Sequence, residues 1–93
     1  MTITRSPAVA GMFYPARPAV LAATVDRLLA AAPPTEALQP KALIVPHAGY
    51  VYSGSTAAMA YAALAPWHSA IHRVVLLGPT HRVAVDGIAV PKT

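Results

Sequence analysis

At 93 residues the chain is one small domain or part of a larger one. Hydrophobic residues make up 56% and charged residues 11%, well below the quarter or so that is usual for a soluble domain. The net charge of +4 comes from seven scattered basic residues against three acids, and cysteine is absent. Without a basic run or interleaved aromatics, a nucleic-acid role is disfavoured. Without cysteine, a disulfide framework, a zinc knuckle and a thiol nucleophile are excluded. No apolar stretch approaches the ~20 residues of a membrane span, and no hydrophobic region of a signal peptide precedes Ala8-Val9-Ala10-Gly11. A cytoplasmic protein is the expectation. The shortage of charges reads as the amino-terminal part of a larger α/β domain whose faces other segments cover. The isolated chain is therefore expected to be aggregation-prone or only partly ordered.

Residues 1–17 form an irregular or short extended arm, with Met12, Phe13 and Tyr14 expected to plug against the core. Pro18 opens a helix in the position proline favours. Leu21, Val25, Leu28 and Leu29 fall on one apolar face, and Ala32-Pro33-Pro34 stops the helix at Ala31. Thr35 to Pro40 is a polar connector. Ala42-Leu43-Ile44-Val45 then reads as a buried strand running into Pro46-His47-Ala48-Gly49-Tyr50. A second helix, near Ser55 to Leu64, follows Ser53 or Ser55 as cap and ends at Pro66. Trp67 to His72 reads as a connector into a second strand, Val74-Val75-Leu76-Leu77, which runs into Gly78-Pro79-Thr80-His81-Arg82. A third short strand is expected near Gly87 to Val90.

Strand, crossover helix and strand make a parallel pair with both carboxyl ends on one sheet edge. The fold class is thus α/β, a parallel sheet flanked by helices. Open α/β sheets bind their ligands at that edge, and the positive end of the second helix points there. His47 and His81 are delivered to it from separate strands. Neutral imidazole suits zinc, copper and iron, so the pair is a candidate for metal or catalytic work. The competing reading is that both histidines merely hydrogen-bond the loops at that edge.

A working metal site needs at least a third protein ligand. Asp86 is the nearby carboxylate, though a solvated turn acid is the better reading of it. Tyr50 and Tyr52 could each orient a substrate or donate to an oxyanion, or one of them could simply pack. His68 and His72 read as surface histidines at the opposite edge. Ser53 lacks a nucleophile-elbow setting and reads as a cap.

Three motifs, in order, resemble the Memo family, known in bacteria and archaea as AmmeMemoRadiSam system protein B. They are Ala8-Val9-Ala10-Gly11-Met12-Phe13-Tyr14-Pro15, then Val45-Pro46-His47-Ala48-Gly49-Tyr50-Val51-Tyr52-Ser53-Gly54, then Leu77-Gly78-Pro79-Thr80-His81-Arg82. The resemblance implies that residues 1–93 are the amino-terminal part of a single Memo-like α/β domain, similar in fold to class III extradiol dioxygenases. It matches His47 and His81 to the family's two early metal-site histidines, with iron or copper as the implied metal. The later histidine and cysteine of the family pocket have no counterpart in this chain. Two functions are implied: a metal-dependent redox enzyme acting on oxygen or a small aromatic, or a non-catalytic module binding a peptide or phosphotyrosine-like group in the same pocket. Implied partners are a radical S-adenosylmethionine protein and an AMMECR-type protein.

Overall fold

A computed structural model describes residues 3–34 and 38–90. Helix α1 spans Pro18–Ala31, the bounds expected from the sequence. Arg17 precedes it in extended conformation, and Pro18 occupies the first turn, where its missing N–H leaves no bond unmade. Ala32 returns to extended backbone, with its N–H on the Leu29 carbonyl at 3.2 Å. The prolines that follow forbid another helical turn. Leu21, Val25 and Leu28 of the expected apolar face are half-buried, while Leu29 is exposed.

Helix α2 spans Tyr50–Ala62, so it begins five positions before the expected Ser55 and stops at Ala62 rather than Leu64. Gly49 occupies the cap position, and its carbonyl accepts from Tyr52 N–H at 2.9 Å and Ser53 N–H at 3.0 Å. Ser53 is therefore not a cap. It lies inside the first turn, buried, and its hydroxyl donates to the Ala48 carbonyl at 2.8 Å. Short hydroxyl side chains often turn back onto nearby backbone in this way. A 3-10 helix, Ala65–Ala70, replaces the expected connector. Pro66 stands at its start, so the same residue that ends one helix begins the next.

α1 packs on α2. The contact runs along small residues: Ser53, Gly54 and Ala58 are the buried residues of α2. A Cβ on Gly54 would lie 3.0 Å from Leu28 Cδ1, so the missing side chain is what lets the two helices come this close. Ala58, 5% exposed, is the buried hydrophobic residue among those described.

The parallel sheet does not form among the described residues. Ala42–Val45 and Val74–Leu77 run without a ladder, as does Gly87–Val90, and the single bridge is Ala10 to Tyr14 in the arm. Ile44 is 100% exposed and Val74–Leu77 between 77% and 86% exposed. The physical reason is partner supply. Parallel strands need cover on both faces, a two-stranded pair is marginal alone, and the helix pair offers only a small, Ala-rich face. Asp86 and Gly87 make a bend instead of leading into a strand, with Gly87 at φ +97°.

The arm is only partly the expected plug. Tyr14 is half-buried and its ring lies 5.7 Å from that of Tyr50, tilted by 38°. Met12 is exposed to solvent. A tight turn shapes the arm: Met12 and Phe13 N–H both donate to the Val9 carbonyl, and Gly11, at φ +83°, donates to the Tyr14 carbonyl at 2.7 Å.

Candidate metal centre

His47 and His81 meet. Their Nε2 atoms are 3.1 Å apart across 34 positions of sequence, and their ring centroids are 5.2 Å apart at an interplanar angle of 43°. Each histidine follows one of the two apolar runs, so the runs deliver their ends to a common place although no ladder joins them. Pro46 and Pro79 stiffen the two approaches by fixing φ. On one side α2 begins at once, with Gly49 as its cap.

At 3.1 Å the contact has the length of a hydrogen bond, which requires one Nε2–H donor and one Nε2 lone pair. The same spacing fits a shared ion. Two nitrogens each ~2.0–2.1 Å from one metal lie roughly 2.9–3.4 Å apart for angles between the square and the tetrahedral. The donor set, two exposed borderline imidazoles, suits a first-row metal. Among the described residues no group of three His, Cys, Asp or Glu side chains gathers, so the pair acquires no third ligand there. Asp86 lies exposed in its bend and takes no part.

The other candidates separate clearly. Tyr50 is half-buried against Tyr14, and its backbone N–H donates to the Phe13 carbonyl at 2.8 Å. Tyr52 stands 87% exposed. Of the two tyrosines, Tyr50 packs and Tyr52 is open to a ligand. His68 is committed elsewhere: its Nδ1–H donates to the Ala65 carbonyl at 2.9 Å and its Nε2 accepts from Ser69 Oγ at 3.3 Å. His72 is exposed. A structural role missed in the sequence is that of the Phe13 carbonyl, which ties the arm to the start of α2. No side-chain pattern signals a main-chain bond of that kind.

A family model described as Memo-like protein matches residues 5–93. A MEMO1 family protein of Aquifex aeolicus is 48% identical over 77 residues, covering 83% of this chain and 27% of its own length. Protein MEMO1 of Xenopus laevis is 41% identical over 88 residues, covering 95% of this chain and 29% of its own. The memo-1 homolog of Caenorhabditis elegans is 42% identical over 87 residues, covering 94% of this chain and 24% of its own. The chain thus spans between a quarter and a third of the first two of these relatives' lengths. No solved structure matches it significantly. Among the described residues no helix is long and apolar enough to cross a membrane.

Proposed function

The chain belongs to the Memo family, and from that premise we propose that His47 and His81 are two ligands of an iron or copper centre in a redox protein with a dioxygenase-like frame. The observation that carries this is the 3.1 Å approach of the two Nε2 atoms. Two exposed imidazoles from distant loops have no packing reason to converge. They do so in the spacing that one ion requires, and the hydrogen bond between them keeps the rings aimed at each other. A first-row metal there would supply one-electron or oxygen chemistry. The chain's own residues hold and orient. The imidazoles present their nitrogens, Pro46 and Pro79 limit the motion of the loops, and Tyr52 offers an exposed phenol on the first turn of α2, where a small aromatic or a peptide side chain can be gripped.

The test is metal content by mass spectrometry of the full-length protein and four single variants. His47→Ala and His81→Ala are expected to lose most of the bound metal, while His68→Ala and His72→Ala keep it. Outer partners of a metal site are worth ~10–100-fold in affinity, and a direct ligand is expected to be worth at least as much. Equal retention in all four variants overturns the metal reading.

A second reading has one observation in its favour: Tyr52 is 87% exposed on the first turn of α2, and both histidines are exposed as well. On that reading the exposed histidines and Tyr52 form a recognition surface for a peptide or phosphotyrosine-like group. Peptide binding that persists in a double His47→Ala, His81→Ala variant would establish it in place of the redox centre.

A further inference from the structure

Apart from the histidine pair, the arm, α1 and the start of α2 line a half-open cleft of about 310 Å³, and neither His47 nor His81 lines it. Its size lies at the small end of the ~300–1,000 Å³ typical of small-molecule pockets. The lining is divided by chemistry. Half-buried Tyr14, Tyr50 and Leu28 give an apolar wall, Val51 stands exposed at the rim, and Thr24 with Arg27 gives a polar edge. The two tyrosine rings stand 5.7 Å apart, within the ~4.5–7 Å of a favourable aromatic pair. The ring pair presents an apolar surface on which a third flat or branched group can pack. Thr24 and Arg27 are three positions apart on α1 and so share a face.

The polar groups are all of one kind. Arg27 is the one cation on the lining, and no acid, histidine or cysteine accompanies it. Among the described residues its guanidinium makes no hydrogen bond, and neither do the hydroxyls of Tyr14 and Tyr50. Thr24 has spent its proton on the Val20 carbonyl at 2.8 Å. What remains are solvent-facing donors that a ligand acceptor can engage in place of water: the exposed Arg27 guanidinium, whose fork matches a carboxylate, and two phenols. With no acid on the lining, a cationic ligand would face the like charge of Arg27 uncompensated. With a single positive charge, one negative charge is the match.

We propose that this cavity binds a small carboxylate with a compact aromatic or branched apolar body, its head on Arg27 and its body against Tyr14 and Tyr50. The assignment does not depend on the metal reading, since the two sites share no lining residue. The experiment is calorimetric titration of the full-length protein with benzoate, phenyl phosphate and benzyl alcohol. The proteins compared are the wild type, Arg27→Gln, Tyr50→Phe, and Arg73→Gln as a cation outside the cavity. The expected result is saturable benzoate binding that weakens by about tenfold or more in Arg27→Gln, the size of one charge-assisted hydrogen bond. It should weaken less in Tyr50→Phe, which keeps the ring, and stay unchanged in Arg73→Gln. Benzyl alcohol should bind weakly and equally to wild type and Arg27→Gln. No saturable benzoate binding, or equal affinity in wild type and Arg27→Gln, overturns the site. Tighter binding of phenyl phosphate than of benzoate overturns the monoanion assignment.

Discussion

Helices α1 and α2 bury the small core that the described residues possess, whereas the stretch from His72 to Val90, also rich in valine and leucine, leaves its side chains in water. The contrast separates two kinds of information in an apolar sequence. A helix satisfies its backbone within itself, so a nearby partner with a complementary face is enough to bury it. A parallel strand has every backbone group waiting for a neighbour distant in sequence, and both of its faces need cover. α1 finds α2 close at hand. Val74–Leu77 finds nothing among the described residues. The lesson is that hydrophobicity marks what must be buried, and secondary structure type decides how far away the burial partner has to be.

The sharpest way to break that contrast is hydrogen exchange on the 93-residue chain. Amides in the middle of α2, from Ala57 to Tyr61, should show measurable protection, and those of Val74–Leu77 should exchange at coil rates. Slowed exchange at Val74–Leu77 would mean that the run has found a ladder in solution. Next in size, Ala58→Asp places a carboxylate where 5% of the residue is exposed and should destabilise the helix pair by about 3 kcal/mol, read as a lower urea midpoint by circular dichroism. An unchanged midpoint would show that the helix contact contributes nothing to stability.

Gly54→Val sharpens the same point. Its Cβ would sit 3.0 Å from Leu28 Cδ1, a flexible side-chain end that can yield to an Ala but less readily to a β-branched residue. A loss of about 1–3 kcal/mol is expected for Val and markedly less for Ala; equal losses would refute the account. Ser53→Ala removes the hydroxyl that donates to the Ala48 carbonyl and should cost about 1 kcal/mol in the same assay. Smallest of all, Val75→Lys should move the midpoint by no more than about 0.5 kcal/mol, because the side chain it replaces is already in water. It should nevertheless slow aggregation, since a charge in an exposed apolar run blocks edge-to-edge pairing.

How much of this could be read in advance follows the same division. α1 was legible to the residue because proline marks both of its ends, once as an opener and twice as a stop. The start of α2 was not. Ser53 and Ser55 are good cap residues, yet the chain caps on Gly49, with Ser53 turned back inside the first turn. The 3-10 helix was hidden because Pro66 both terminates and initiates. The extended runs were legible as apolar segments, but their pairing is a property of residues elsewhere, and composition within the run does not encode it. The meeting of His47 and His81 was expected at the carboxyl edge of a parallel strand pair; the rings meet although that pair does not form among the described residues. Asp86, the candidate weighed as a third donor, lies exposed in its bend, and no third donor gathers at the pair among the described residues. The cavity beside Arg27 was missed as well. Thr24 and Arg27 share a helix face in the sequence, but nothing there announces that the Gly11 turn brings Tyr14 across to close it.

The bond from Tyr50 N–H to the Phe13 carbonyl at 2.8 Å is made by main-chain atoms on both sides. It is therefore blind to the identity of the residues that carry it. Drift at positions 13 and 50 can reshape the aromatic surface, swapping one ring for another or removing it, while the joint between arm and helix keeps its donor and acceptor. The substitution that erases it outright is proline at position 50, which has no N–H to give. A surface free to vary in chemistry while its mounting stays fixed is a suitable place for ligand preference to diverge between relatives without disturbing the imidazoles next door.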